Sequence, residues 1–114
     1  MKVLVAGGSG FIGRYFCWAL EAAGHQALVL TRRGAAGALL WDGAHLGPWA
    51  QALEGCHAVV NLAGAPIAEG RWSQARKREL RESRLDCTRA LVEAMGAAKQ
   101  RPKVFINSSA IGYY

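Results

Sequence analysis

The residues Val3-Leu4-Val5-Ala6 form an unbroken apolar run that ends in glycine. A short run without polar alternation suits a strand buried on both faces, as in a parallel sheet. From residue 11 to residue 23 the period changes. Ile12, Phe16, Ala19, Leu20 and Ala23 recur at helical spacing, and Gly24 stands where a helix C-terminus favours a residue tolerant of positive φ. Residues 27–31 return to a strand pattern. Strand, tight turn, helix and strand within about thirty residues make a βαβ crossover.

Residues 34–47 are rich in glycine and alanine, and Leu39-Leu40-Trp41 reads there as a short third strand. Pro48 suits the first turn of a brief helix ending near Gly55. Residues 57–62 form a fourth strand pattern, stopped by Ala63-Gly64. Ser73 is a candidate N-cap for a long helix reaching about Ala98. Beyond Pro102, residues 103–107 read as a fifth strand. Strands and helices alternating at this spacing predict a doubly wound parallel α/β sheet. Without a repeat, low-complexity tract or linker, residues 1–114 read as one domain.

Composition narrows the function classes. Of 114 residues, 52% are apolar and 19% charged, which excludes intrinsic disorder. No apolar run approaches the roughly 18 residues of a membrane span, and residues 3–6 are too short for a signal peptide. Cys17, Cys56 and Cys87 are odd in number, widely spaced and without a Cys-x-x-Cys pair. That pattern argues against disulfides and structural zinc and for small apolar filler in a reducing, cytoplasmic setting. His25, His45 and His57 lack partners at metal-ligand spacing, so no metal site is expected. The net charge is +6, and residues 71–89 hold seven basic residues against Glu79, Glu82 and Asp86. Lys77, Arg78, Arg81 and Arg89 fall on outer helix faces and read as solvated surface, so nucleic-acid binding is disfavoured.

The chemistry concentrates in Gly7-Gly8-Ser9-Gly10-Phe11-Ile12-Gly13. It fits both Gly8-x-Gly10-x-x-Gly13 and Gly7-x-x-Gly10-x-x-Gly13. One glycine turns the chain out of the strand, one admits a pyrophosphate, and one lets the helix approach the sheet. The helix start then offers unpaired amides and a positive dipole end. A glycine triplet that follows an apolar strand and opens a helix predicts dinucleotide binding. Where NAD sites place an acidic residue, this chain has Thr31-Arg32-Arg33. A guanidinium there favours the 2′-phosphate of NADP over NAD.

Together these features resemble the extended short-chain dehydrogenase/reductases, the NAD(P)-dependent epimerase/dehydratase family. Gly7-x-x-Gly10-x-x-Gly13 resembles the family's phosphate loop, and Asn61-Leu62-Ala63-Gly64 its Asn-x-Ala-Gly element bordering the adenosine. Val104-Phe105-Ile106-Asn107-Ser108-Ser109-Ala110 resembles the fifth strand and the catalytic serine that closes it. Gly70-Arg71-Trp72, Arg76-Lys77, Ser83-Arg84 with Thr88, and Tyr113-Tyr114 point to a subgroup of small epimerase-like proteins. The resemblance implies a Rossmann-type sheet of about five strands in the order 3-2-1-4-5.

It further implies that Ser109, or alternatively Ser108, hydrogen-bonds the substrate oxygen. Leu62, Ala63 and Gly64 would border the adenosine, and Asp42 would pair with the adenine amino group. Arg84 occupies the position of an Asn in many relatives. On a helical wheel Leu80, Cys87, Leu91 and Ala94 share a face, with Arg84 between Leu80 and Leu91. Arg84 there either meets an anionic substrate or cofactor group, or packs its stem and extends its head to solvent. Leu85 and Val92 lie on the far side, where a partner subunit in a homodimer or another helix would cover them. The family's reductases need a Tyr-x-x-x-Lys pair, which this sequence lacks. The expectation is the NADP-binding part of a longer oxidoreductase acting on an unidentified carbonyl or alcohol substrate, without turnover by itself. A non-catalytic dinucleotide-binding or redox-sensing module is the alternative.

Overall fold

The computed structural model describes residues 1–7, 11–32, 37–62 and 74–107, excepting the side chains of Phe11, residues 74–77 and Leu80. Five parallel strands, β1 (Lys2–Ala6), β2 (Gln26–Thr31), β3 (Leu39–Leu40), β4 (Ala58–Asn61) and β5 (Val104–Asn107), lie in the order β3-β2-β1-β4-β5. Helix α1 (Phe11–Ala22) links β1 to β2, and α2 (Gln74–Ala97) precedes β5. A 3₁₀ helix spans Pro48–Leu53, with the proline in its first turn. The strand order and the parallel sense are those expected, and observed boundaries differ from the expected ones by one to two residues at several ends.

Alternation along the strands builds two layers. Leu4, Ala6, Leu30 and Val59 face one way, into a core closed by Trp41, Trp49, Leu53 and the Cys87, Leu91 and Ala94 face of α2. Val3, Val5 and Val60 face the other way, against Phe16, Cys17 and Leu20 of α1. This is why the sequence of β1 shows no polar alternation: both of its faces are covered. Cys17, Cys56 and Cys87 are free thiols, the last two buried among apolar side chains.

Helix α1 is rotated from the expected orientation. Ile12, assigned to the packed face, is 69% exposed, and Ala19 and Ala23 are exposed too. The buried stripe is Gly13, Phe16, Cys17 and Leu20, with Ile12 about 90° off its centre at 100° per residue. Gly13 explains the choice: a residue without a side chain lets the helix backbone settle on the sheet, which turns Ile12, Tyr15 and Trp18 outward. On α2 the wheel holds for the apolar side chains described. Cys87, Leu91 and Ala94 are buried, whereas Leu85 and Val92 are exposed.

β5 is an edge strand in the described sheet, as expected, with Val104 48% and Ile106 54% exposed. Its lower end is tied down by Glu54. That carboxylate accepts the backbone N–H of Lys99 at 2.6 Å and of Gln100 at 3.0 Å, while Lys2 Nζ donates to the Glu54 carbonyl at 3.3 Å. Glu54, in the turn before β4, thus joins the start of β1 to the turn that leads from α2 toward β5.

Candidate nucleotide site

All five parallel strands end on the same side, so the loops that leave them converge there, as in other open α/β sheets. β1 runs into Gly7, whose φ of +84° is left-handed and whose N–H donates to the Leu30 carbonyl at 3.1 Å. Any side chain at this φ would be strained. The chain therefore leaves β1 through a glycine, hydrogen-bonded to the end of the neighbouring strand, and has entered α1 by Phe11. Gly8, Ser9 and Gly10 lie outside the described residues, as do Arg33, Ala63, Gly64, Ser73, Ser108 and Ser109.

Past β2 the structure brings together residues far apart in sequence. Thr31 is buried, and Arg32 begins an open cleft of about 380 Å³ lined by Arg32, Asp42, Gly43 and Ala44 and, from α2, by Arg78, Glu79, Glu82, Ser83 and Asp86. Arg32 and Asp42, assigned separately from sequence, thus share one cavity. Arg78 was expected on a solvated outer face; it is exposed, but it lines this cleft opposite Arg32. The wheel missed it because α2 extends past the sheet, so its upper turns face a loop rather than a strand.

The loop after β3 is rigidly built. Asp42 Oδ1 accepts the backbone N–H of Ala44 and of His45, each at 2.8 Å, and Asp42 Oδ2 lies 2.7 Å from His45 Nδ1. The backbone N–H of Ala44 and the His45 contact hold the Asp42 carboxyl down at about 2, and the Asp42 contact raises His45 above its ordinary value. His45, expected to have no partner at metal-ligand spacing, has this carboxylate beside it. No cluster of metal-binding side chains occurs among the described residues. Trp49 Nε1 donates to the His45 carbonyl at 3.1 Å, and its ring packs edge-on against Trp41 at 5.2 Å. The core thereby grips the loop from below.

A second polar cluster closes the ends of β4 and β5. Asn61, only 3% exposed, donates from Nδ2 to Asn107 Oδ1 at 2.8 Å and lies 3.4 Å from Thr88 Oγ1; Thr88 Oγ1 is 3.3 Å from Asn107 Oδ1. Sequence alone did not join these three, since they come from two strands and a helix. Leu62 continues from β4 and is half-buried. Arg84, one turn before Thr88, is half-buried.

Comparison with known proteins places these features in a lineage. The sequence profile of the NAD dependent epimerase/dehydratase family matches residues 3–113. The human epimerase family protein SDR39U1 is 37% identical over 116 aligned residues, which cover 100% of this chain and 38% of the human protein. Epimerase family protein Mb2239 of Mycobacterium bovis is 42% identical, with 98% of this chain and 37% of that protein covered. The chain thus spans well under half the length of these relatives. The crystal structure of human SDR39U1 (isoform 2) with NADPH matches 100% of this chain and 38% of its own at a TM-score of 0.84. UDP-glucose-4-epimerase from Stenotrophomonas maltophila, with bound NAD and formylated UDP-arabinopyranose, shares the fold at a TM-score of 0.77 and 23% identity, over 96% of this chain and 37% of its own.

Proposed function

Since the chain belongs to the NAD dependent epimerase/dehydratase family, we propose that it binds a nicotinamide adenine dinucleotide across the C-terminal ends of its strands, and NADP in preference to NAD. The observation that carries this reading is the cleft in which Arg32 meets the Asp42 loop and α2. Its volume lies within the range of small-molecule sites. Arginines suit a terminal phosphate, and carboxylates suit amino and hydroxyl donors of an adenosine. The NADPH in the human SDR39U1 structure supports the same preference.

Residue roles are carried over from the family resemblance, position by position. The turn from Gly7 to Gly13 binds the pyrophosphate: Gly7, its own N–H held by the Leu30 carbonyl, turns the chain, and the main-chain amides of Gly8, Ser9, Gly10, Phe11, Ile12 and Gly13 serve as donors at the start of α1. Arg32, flanked by Thr31 and Arg33, takes the 2′-phosphate. Asp42 accepts the adenine amino group on Oδ2, sharing that oxygen with His45, since a carboxylate oxygen has two acceptor sites. Leu62, Ala63 and Gly64 border the adenosine. Ser109, or Ser108, holds a substrate carbonyl or alcohol oxygen, and Arg84 meets an anionic substrate group. A nicotinamide cofactor supplies hydride chemistry when bound; the protein supplies position and electrostatics.

Calorimetric titration with NADPH and NADH, on this chain and on its Arg32→Ala variant, tests the reading. NADPH should bind more tightly, and the variant should lose about ten- to a hundredfold in NADPH affinity, the range for a charge-assisted bond. NADH affinity should hardly change. Equal affinities before and after substitution would end the 2′-phosphate assignment.

A further inference from the structure

We propose that Gly43 is a specificity-determining position that aims Arg32, a role that deepens the NADP reading above and rests on it. Gly43 is buried at the floor of the cleft with a φ of +83°. A Cβ placed on it would lie 3.0 Å from Arg32 Cδ, 3.6 Å from Arg32 Nε and 3.6 Å from Cys87 Sγ. The stem of Arg32 therefore rests on the bare Cα of Gly43, with the buried Cys87 of α2 behind it. The contact falls at the last carbon before the guanidinium. Whatever fixes Cδ and Nε fixes the direction of the fork, which is what bidentate recognition of a phosphate requires.

Charge in the cleft makes this aim decisive. Its lining carries two arginines, Arg32 and Arg78, against four carboxylates: Asp42, Glu79, Glu82 and Asp86. The average field does not favour a doubly charged phosphate. Preference for one must come from a guanidinium held at contact distance, since the attraction falls off with separation while the surrounding carboxylates repel from several sides. Even a small displacement of the stem at Cδ re-aims the guanidinium beyond it, away from the phosphate position. A Cβ 3.0 Å from Arg32 Cδ requires the stem to give by a few tenths of an ångström, and the exposed Arg32 side chain is the group that yields, with Cys87 Sγ in ordinary contact on the other side.

Affinities for NADPH and NADH are to be measured by calorimetry on the unsubstituted chain, Gly43→Ala, Gly43→Asn, Arg32→Ala and the Gly43→Asn/Arg32→Ala double variant. Asparagine tolerates the left-handed backbone, so Gly43→Asn separates the added side chain from backbone strain. Thermal melts of each variant identify those that remain folded. Both Gly43 variants should lose about tenfold in NADPH affinity, the loss of one charge-assisted contact, with NADH changed less than about twofold. In the Arg32→Ala background the Gly43 substitution should no longer alter the ratio. If both cofactors weaken equally in a folded Gly43→Asn chain, or if NADPH binding is unchanged while Arg32→Ala still weakens it, Gly43 does not aim Arg32 and the NADP reading stands alone. If the unsubstituted chain does not prefer NADPH, the NADP reading fails and this inference with it.

Discussion

Replacing the exposed Asn107 by alanine should destabilise the protein as much as replacing a buried residue. Asn107 sits on an edge strand, and substitutions at such surface positions usually change stability by less than about 0.5 kcal/mol. Its carboxamide oxygen, however, is the 2.8 Å acceptor for Asn61 Nδ2, and Asn61 is 3% exposed. Removing the acceptor leaves a buried donor to shift toward Thr88 Oγ1, now at 3.4 Å, at a net cost of about 1–2 kcal/mol. For a chain of this length that corresponds to a fall of about 4–8 °C in Tm. Asn61→Leu removes the buried donor itself, together with its contact to Thr88. In the double variant the two losses should fail to add by about 1 kcal/mol. Melting curves followed by circular dichroism on the four proteins provide the measurement. A shift below about 2 °C for Asn107→Ala, or strict additivity in the double variant, would refute the idea that this bond serves a buried group.

Two further outcomes test the loop and the core. The raised His45 adds stability that is complete below its ordinary value of 6.5 and is lost as pH rises through the raised one; Asp42, lowered from 3.8 to about 2, adds stability present above 3.8 and lost as pH falls through about 2. Their pairing is therefore strongest between these two limits, and the His45 midpoint followed by NMR should fall in Asp42→Asn. An unchanged midpoint would break the pair. For the thiols, burial pushes Cys56 and Cys87 up, and Cys17 is only half-buried. A thiol reagent at neutral pH should label Cys17 first and the other two only on unfolding, whereas prompt labelling of all three would contradict the packing.

Much of the frame was legible in the sequence because each signal was local. Period and glycine placement located β1, α1 and β2, and the lack of polar alternation in residues 3–6 already implied a covered sheet. The orientation of α1 was not legible. Five apolar residues suggested one face, but the helix packed by Gly13, Phe16, Cys17 and Leu20; the glycine motif pointed to that approach, whereas hydrophobicity alone did not. The cleft was legible only from one side. Arg32 stood out at the end of a strand and Asp42 through the family resemblance, while Arg78 read as solvated surface and Glu79 and Glu82 only as charges opposing the basic run. Their role comes from where α2 crosses the sheet, which no spacing within α2 encodes. The Asn61–Thr88–Asn107 triangle and the Glu54 clamp were invisible for the same reason: each joins residues tens of positions apart.

The Glu54 clamp lies at the opposite end of the strands from the cleft, and that division has a practical meaning. Mutational tolerance should divide by pole. Around Glu54, Lys99 and Gln100, changes would alter how firmly the chain holds together while leaving ligand choice intact. Around the exposed Arg32, changes would alter ligand choice at little cost in cohesion. An engineer seeking a hardier variant of this scaffold can work on one pole without retuning the other.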